Sequence, residues 1–315
     1  MDAVAHAAAH LRRGGLVAMP TETVYGLAAI ARDADGVARV FEAKGRPSDN
    51  PLIVHVDSIE MARTCVASWP SVADALARAF WPGPLTLVLP KADWLPGMVT
   101  ADGPTVAVRM PAHPMARALI EAVGEPLVAP SANRSGYVSP TRVEHVRGVW
   151  PEDEVLVLDG GPCEVGLEST VVALERETLR VLRPGAIGAN DLANAAEFPI
   201  RARDESRPVA SPGVVGPHYQ PSCPVVLVGS LEEAGRAMDE GPAVVLSPPG
   251  MPLAVDPPHA SIAMPGGEHE YGRELYAALR EADALGAGRI VACVPPCEGS
   301  VWEAVRERLS RAAGG

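Results

Sequence analysis

Two cations on one short polar segment are the first residues whose spacing suggests chemistry. Lys44 and Arg46 stand two residues apart in Lys44–Asn50 (KGRPSDN), just before the apolar run Leu52–Val56. A lysine supplies a compact charge and an arginine a planar fork, so the pair suits a polyanion such as a polyphosphate. Lys44 also stands out because Lys91 is the only other lysine in the sequence. The alternative, a solvated helix end whose lysine complements the helix dipole, stays open.

Further polar residues occur where apolar runs end. Arg109 stands near the end of the run Val106–Met110, and a buried arginine there needs an anionic partner, either a structural or a substrate carboxylate. The segment Pro20–Gly26 (PTETVYG) offers hydroxyl groups to a small polar ligand or caps a helix. The small-residue loop Ala129–Ser139 allows a phosphate or a nucleobase to approach closely. Each segment alone also fits an ordinary turn.

The remaining candidates are isolated residues among glycines and prolines. His55 lies in an apolar run, where a histidine is more often packed than ligand-binding. The turns Gly166–Thr170 and Leu182–Gly185 contribute a serine and an arginine. Tyr219 follows Ser211–Gly213 in a segment without periodicity, which is an unusual place for an aromatic residue without a partner.

The elements that must position these residues are short strands and helices. Over residues 1–200 they alternate, which predicts a mixed α/β or α+β domain. The apolar spacing from Asp35 to Lys44 predicts a helix that stops at Gly45, with Lys44 at its C-terminus. The predicted strands are Leu16–Met19, Leu52–Val56, Leu85–Leu89, Val106–Met110, Val155–Leu158, Thr170–Val172 and Leu179–Leu182.

Three stretches of sequence differ in pattern, which predicts a domain at 1–200, a linker at 201–222 and a second domain at 223–315. The linker gains proline, glycine and charge, and we expect it to be ordered and to lie over the active site. The second domain should be a smaller, Rossmann-like α/β domain with a parallel sheet. Its predicted strands are Val225–Val228, Ala243–Leu246, Ser261–Ala263 and Arg289–Val294, and its helices are Leu231–Met238, Arg273–Ala284 and Val301–Ala312.

The composition excludes several classes of protein. The 315 residues carry a net charge of −12, which argues against coating nucleic acid through bulk electrostatics. No stretch reaches the roughly 20 apolar residues that cross a bilayer. The five scattered cysteines indicate reduced, packed thiols, so a cytoplasmic protein without a membrane contact is expected. The motifs of P-loop NTPases, zincins and α/β-hydrolases do not occur.

Taken in order, eight segments resemble the YrdC-type family of threonylcarbamoyl-adenylate synthases. The pattern SPG…HY at 211–219, with a further α/β domain behind it, resembles the longer, Sua-type two-domain members. The resemblance implies a YrdC-like twisted open α/β sheet with a concave cavity over residues 1–200. The segments are PTETVYGL (20–27), KGRPSDNPLIVH (44–55), WPGPLTLVL (81–89), VAVRMPAHP (106–114), APSANRSGYVSPT (129–141), DGG (159–161), GLESTV (166–171) and LRPG (182–185).

The resemblance also implies an activity. A synthase of this family is a nucleotidyltransferase that converts L-threonine, bicarbonate and ATP to threonylcarbamoyl-AMP and pyrophosphate. The product passes to a tRNA threonylcarbamoyl transferase complex, which modifies the adenosine next to the anticodon. We expect Mg²⁺ to be held mainly by the ATP phosphates. By the same resemblance, Lys44 and Arg46 are catalytic, L-threonine is held by Thr23, His55, Arg109, Ala129 and Ser169, and ATP is held by Arg46, Asn50, Thr105, Ser131, Ser139, Arg183 and Tyr219.

One departure and three alternatives accompany this interpretation. Val214–Pro217 is not basic where relatives commonly carry lysines, so a basic contribution of the linker to ATP is not expected. The carbamoyl transferases of hydrogenase maturation use the same domain, but they add acylphosphatase-like and zinc-finger segments that nothing here resembles. An RNA-binding module is disfavoured by the net charge of −12. Pyrophosphate release would distinguish the synthase from a regulator that only binds nucleotide.

Overall fold

A computed structural model describes residues 3–175, 178–201, 218–295 and 298–314. Its first unit is one mixed sheet flanked by helices. The strands are β1 (Leu16–Met19), β2 (Gly26–Ile30), β3 (Ile53–His55), β4 (Leu85–Pro90), β5 (Thr105–Arg109), β6 (Leu127–Val128), β7 (Val155–Val157), β8 (Thr170–Glu175), β9 (Thr178–Arg183) and β10 (Ile200–Arg201). The helices are α1 (Ala3–Arg12), α2 (Ala34–Lys44), α3 (Ile59–Thr64), α4 (Ser71–Phe80), α5 (Pro114–Val123), α6 (Val143–Arg147) and α7 (Ala189–Ala196), with a short 3₁₀ helix at Gly97–Thr100.

The ten strands follow the order β10-β9-β8-β4-β5-β3-β6-β2-β1-β7. Strands β3 and β5 are parallel neighbours in the middle of this sheet, and their register pairs His55 with Arg109. Side chains alternate between the two faces of a strand, so Ile53 and His55 share one face while Val54 lies on the other. The sheet therefore places two predicted site residues side by side.

The second unit is a four-stranded sheet in the order β11-β14-β12-β13, with all neighbours parallel. This confirms the predicted small parallel α/β unit. The helix containing Arg273 begins five residues earlier than predicted, at Glu268. The elements are β11 (Val225–Val228), α8 (Leu231–Asp239), β12 (Ala243–Leu246), β13 (Ala260–Ile262), α9 (Glu268–Ala284), β14 (Arg289–Cys293) and α10 (Ser300–Ala312).

One buried apolar cluster contains residues of both units. Val138 and Leu167 of the first unit pack in one buried cluster with Tyr271, Tyr276 and Leu309 of the second. Because this cluster draws from both sheets, α9 and α10 form part of the support behind the first unit.

The predicted domain boundaries remain a prediction. The first sheet ends at Arg201, and the second begins at Val225. Most of the expected linker, including Val214–Pro217, lies outside the described residues, as does Cys297. Cys293 is buried, as expected of a packed thiol.

Strand β2 was not predicted. The preceding segment, PTETVYG, indicates only a turn and gives no signal for a strand after it. The strand itself, GLAAI, holds glycine and alanine, which have low β-propensity, and all five residues are buried. Helix α2 was predicted within one residue, and Gly45 ends it with φ 60°, a left-handed conformation that favours glycine.

Candidate active site

A cleft of about 640 Å³ opens on the face of the sheet that carries Ile53 and His55. Four chain segments of the first unit supply most of its wall, and two residues near the end of the expected linker complete it. The lining residues are Thr21, Thr23, Val24, Gly26, Arg46, Pro51, Leu52, Ile53, His55, Arg109, Ala129, Pro130, Ser131, Asn133, Tyr137, Ser139, Glu168, Arg183, His218 and Tyr219.

Arg109 reaches the cleft from the end of β5 and is anchored by a carboxylate that the sequence analysis did not single out. Its Nη2 donates to Glu22 Oε1 at 2.6 Å, with both side chains buried. Its Nη1 donates to Thr23 Oγ1 at 2.8 Å, and its Nε donates to Gly83 O at 3.3 Å. These contacts use three of the five guanidinium N–H bonds, which leaves two for an acidic ligand in the cleft.

His55 lies next to Arg109 and is neutral. Its Nδ1 is 3.2 Å from Ile53 O, and because a carbonyl only accepts, Nδ1 carries the hydrogen. Burial and the neighbouring charge of Arg109 lower the pKa of His55 to about 3. The other ring nitrogen, Nε2, is therefore an acceptor at neutral pH, which suits an amine or hydroxyl donor on a ligand.

Lys44 does not line the cleft. Its side chain is buried at the end of α2, and its ammonium donates to the carbonyls of Ser131 and Asn133. Burial lowers the pKa of Lys44 well below its usual range. Both acceptor residues line the cleft, so Lys44 ties the small-residue loop in place and does not present its charge to the wall.

Arg46 does line the cleft, and Asn50 holds it from the side. Its Nη2 donates to Asn50 Oδ1 at 2.6 Å and to Pro51 O at 2.8 Å, and its Nε donates to Asn50 O at 3.0 Å. Burial lowers the pKa of Arg46 to about 10, so the guanidinium stays charged at neutral pH. The Asn50 amide also lies 3.4 Å from His218 Nε2, which places the His218 side chain at the same corner.

The far wall carries Arg183, Ser139 and Glu168. Arg183 donates to the carbonyl and to the hydroxyl of Ser169, both at 3.1 Å. The Ser139 hydroxyl donates to Glu168 Oε1 at 2.7 Å. Ser169 is buried and bonded to Thr86 at 2.7 Å, and it is not among the residues that line the cleft.

Tyr219 closes the same wall in a strained backbone conformation. Its φ is 63°, which is rare for a bulky side chain. The ring stacks on Tyr276 at 5.4 Å between centroids, and the Arg308 guanidinium lies 5.4 Å from its centre. Contacts of this kind hold the residue in place, so at least the end of the expected linker is part of the cleft.

Thr105 and Asn50 are the two predicted ATP ligands that are not among the residues lining the cleft. Thr105 begins β5, four residues and about 13 Å from Arg109. There it lines a second, apolar groove together with Val88 and Ala107. Asn50 lines a third opening beside His218. The structure brings Thr23, Arg46, His55, Arg109, Ala129, Ser131, Ser139, Arg183 and Tyr219 together in the cleft.

The cleft favours anions although the chain is acidic overall. Three arginines line its wall against one carboxylate, Glu168. Arg183 is buried, and burial depresses its pKa as it does that of Arg46. Cations in such a site interact strongly with an anionic ligand.

Sequence reasoning missed Glu22, Glu168, Tyr276 and Arg308. Glu22 and Glu168 lie inside the motifs quoted above, but nothing in those motifs indicates that these carboxylates pair with buried arginines. Arg308 falls three and seven residues after the buried Val305 and Val301 on α10. An arginine on the apolar face of a helix was the available signal.

The fold and the cleft define a two-unit α/β protein with a basic cavity beside the joint between its units. A family model described as "Telomere recombination" (Sua5_yciO_yrdC) matches residues 9–185, and one described as "Threonylcarbamoyl-AMP synthase, C-terminal domain" matches residues 174–314. The chain belongs to the two-domain threonylcarbamoyl-AMP synthase family, so the family, fold and enzyme class predicted from the sequence are confirmed.

Relatives match over nearly the whole chain. The threonylcarbamoyl-AMP synthase of Pyrococcus abyssi is 39% identical over 98% of this chain and 93% of its own length. The Schizosaccharomyces pombe synthase is 34% identical over 94% of this chain and 84% of its own. A crystal structure of P. abyssi Sua5 complexed with L-threonine superposes with a TM-score of 0.88 and 39% identity, covering 99% of this chain and 94% of that one. Across the described residues, no helix is long and apolar enough to cross a membrane.

Proposed function

We propose that the cleft binds L-threonine and ATP side by side and forms threonylcarbamoyl-AMP from threonine, bicarbonate and ATP, with release of pyrophosphate. The observation that carries this proposal is the pairing of His55 and Arg109 at adjacent strand ends, in a cleft that Arg46 and Arg183 also line. One end of the cleft suits a zwitterionic amino acid, and the other suits a polyphosphate.

Threonine fits the end beside β3 and β5. The two remaining N–H bonds of Arg109 bind the carboxylate, and Glu22 and Thr23 keep the guanidinium from turning away. His55 Nε2 accepts a hydrogen from the amine or the hydroxyl. Ala129 lines the cleft. Ser169 does not line it and accepts hydrogen bonds from Arg183, so its part is to hold that arginine in place. Recognition of the hydroxyl rejects amino acids that lack one.

ATP fits the end lined by arginines. Arg46 and Arg183 offset the phosphate charge, and Ser131 and Ser139 line the same cleft. Tyr219 covers this end. Lys44 acts by fixing the loop of Ser131, so its part in catalysis is to position the wall.

The chemistry requires little beyond alignment and charge neutralisation. The threonine amine and bicarbonate give a carbamate, with loss of water, and the carbamate is already an anion. One of its oxygens attacks the α-phosphorus of ATP as the bond to the β-phosphate oxygen breaks, and pyrophosphate leaves with that electron pair. No proton moves in this step, so no general base is needed, and neutral His55 is consistent with that.

Mg²⁺ is expected to accompany ATP. Among the described residues, no three His, Cys, Asp or Glu side chains lie close enough to share a metal ion. The carboxylate on the wall, Glu168, is already bonded to a serine, a tyrosine and an arginine. We therefore assign Mg²⁺ to the phosphates and water, where it would offset phosphate charge, while the protein holds the phosphates.

The product is a mixed anhydride that another enzyme must consume. We propose that it passes in the cytoplasm to a tRNA threonylcarbamoyl transferase complex, which modifies the adenosine beside the anticodon. This step rests on the family, and the acidic net charge of −12 argues against tight binding of tRNA by this chain itself.

Pyrophosphate release tests the proposal. The purified protein should release pyrophosphate from ATP when threonine and bicarbonate are both present, and Arg109→Ala should abolish that release. Arg109→Lys keeps a charge opposite Glu22 and should fold, yet it loses the fork and should raise the KM for threonine. Arg117→Ala, on the exposed side of α5, is the control. Nucleotide binding without threonine-dependent turnover would overturn the proposal.

A further inference from the structure

Glu168 is a buried hub where the two units meet. It lies on the cleft wall and is 7% exposed. It accepts from Ser139 Oγ at 2.7 Å within its own unit. From the second unit it accepts from Tyr276 Oη at 2.8 Å on α9 and from Arg308 Nε at 3.0 Å on α10. One cleft residue is thus fixed by two helices of the other unit.

Arg308 reaches further along the same wall. Its side chain is fully buried, and its Nη2 donates to the carbonyl of Pro184, the residue after Arg183, at 3.0 Å. Its guanidinium also lies over the ring of Tyr219. Arg308 therefore contacts Glu168 and Tyr219 of the cleft lining and Pro184, the chain neighbour of Arg183.

Two arginines balance the charge of the buried Glu168 carboxylate. Arg308 and Arg183 hold the pKa of Glu168 near 2 although burial opposes ionisation. A buried ion pair contributes little net stability compared with an apolar substitute, because both partners lose their water. What the pair does provide is a fixed direction for the groups bonded to it.

We propose that Tyr276 and Arg308 are positioning residues for ATP. Both act through Glu168 to hold Ser139 in place, and Arg308 also holds the chain at Arg183 through its bond to the carbonyl of Pro184. The second unit therefore completes the nucleotide end of the cleft and leaves the threonine end to the first unit. This inference rests on the proposed function, which places ATP against that wall.

Two tyrosines on α9 give a matched test. Tyr276→Phe removes one donor to Glu168, whereas the buried Tyr271 hydroxyl has no hydrogen-bond partner among the described residues, so Tyr271→Phe removes none. Steady-state kinetics should show a KM for ATP raised about tenfold by Tyr276→Phe, with the KM for threonine unchanged. Tyr271→Phe should leave both unchanged. Equal effects of the two variants, or an equal rise for threonine, would overturn the inference.

A double-mutant cycle tests the route through Glu168. If Tyr276 acts by way of that carboxylate, Tyr276→Phe should have no further effect on the KM for ATP in a Glu168→Gln background. Additive effects would overturn the inference. Arg308→Lys, which keeps the charge but not the fork, should raise the KM for ATP without lowering the Tm as far as Arg308→Met.

The controls separate this inference from the proposed function. A wild-type chain without threonine- and bicarbonate-dependent pyrophosphate release would overturn the proposed function and the inference with it. A wild-type chain that turns over, with an unchanged KM for ATP in Tyr276→Phe, would overturn the inference alone.

Discussion

Glu22 and Arg109 form a buried ion pair, 2.6 Å between Oε1 and Nη2, at the edge of the cleft where the substrate carboxylate is proposed to bind. Glu22 also accepts from the backbone N–H of Ala112 at 3.0 Å, so it is fixed on two sides. Glu22 is thus a structural carboxylate on the same guanidinium that is proposed to bind the substrate, so we expect the stability of this pair to be linked to threonine binding.

Glu22→Gln should reveal that linkage. The amide still accepts from Arg109, but the buried guanidinium loses its counter-charge, so the free energy of unfolding should fall by about 2–3 kcal/mol. Saturating threonine should restore part of the loss, because its carboxylate replaces the missing charge. Thermal unfolding with and without threonine measures both effects, and Glu121→Gln on the exposed side of α5 is the control. A loss of the same size in both conditions would contradict this account.

Lys44→Met should lower stability and activity together. Two buried carbonyls, those of Ser131 and Asn133, would lose their donor at a cost of about 1–3 kcal/mol each. Because both residues line the cleft, kcat/KM should fall as well. Lys91→Met is the matched control, since the Lys91 ammonium makes a weak 3.5 Å contact with Thr100 outside the cleft. A higher KM for ATP with unchanged stability would show instead that Lys44 contacts phosphate.

His55 should remain neutral across the physiological range. Burial and Arg109 lower its pKa to about 3, so its Nε2 should stay unprotonated from pH 8 down to pH 5. Nitrogen NMR of the histidine-labelled protein checks this, with His55→Asn to assign the signal. A midpoint near the ordinary value of 6.5 would contradict the neutral acceptor role.

The ionised Glu168 side chain should make the free energy of unfolding depend on pH. Its neighbours lower its pKa from the ordinary 4.5 to about 2 in the folded chain. Its contribution to the free energy of unfolding is therefore fully present above pH 4.5 and is lost as the pH falls toward 2. The difference in unfolding free energy between wild type and Glu168→Gln should therefore be constant from pH 7 to 5 and shrink below. Urea unfolding at pH 7, 5 and 4 measures it, with the exposed Glu60→Gln as reference. A difference that grows on acidification would contradict the ion pair.

The sequence was sufficient for most of the sheet because its strands carry β-branched runs that end in polar residues. The register of β3 and β5, which sets His55 against Arg109, follows from tertiary pairing and had no local signal. Strand β2 was missed because small residues packed on both faces have neither alternation nor β-propensity.

The sequence predicted which residue types belong to the site. It did not indicate which of these residues line the cleft and which hold the lining residues in place. Lys44 and Arg46 stand two residues apart, yet one supports a loop and the other lines the cleft. Thr105 shares a strand with Arg109 but lies at its opposite end. Arg308 is 140 residues from Glu168 in the chain, and only the docking of α10 brings them together.

Identification of the product tests the proposed reaction. The protein should be incubated with ATP, L-threonine and ¹³C-labelled bicarbonate, and the reaction should be followed by mass spectrometry. We expect threonylcarbamoyl-AMP that carries one ¹³C atom, formed in step with pyrophosphate and lost in Arg109→Ala. Unlabelled threonyl-AMP, or ATP turnover that ignores bicarbonate, would contradict the proposed reaction.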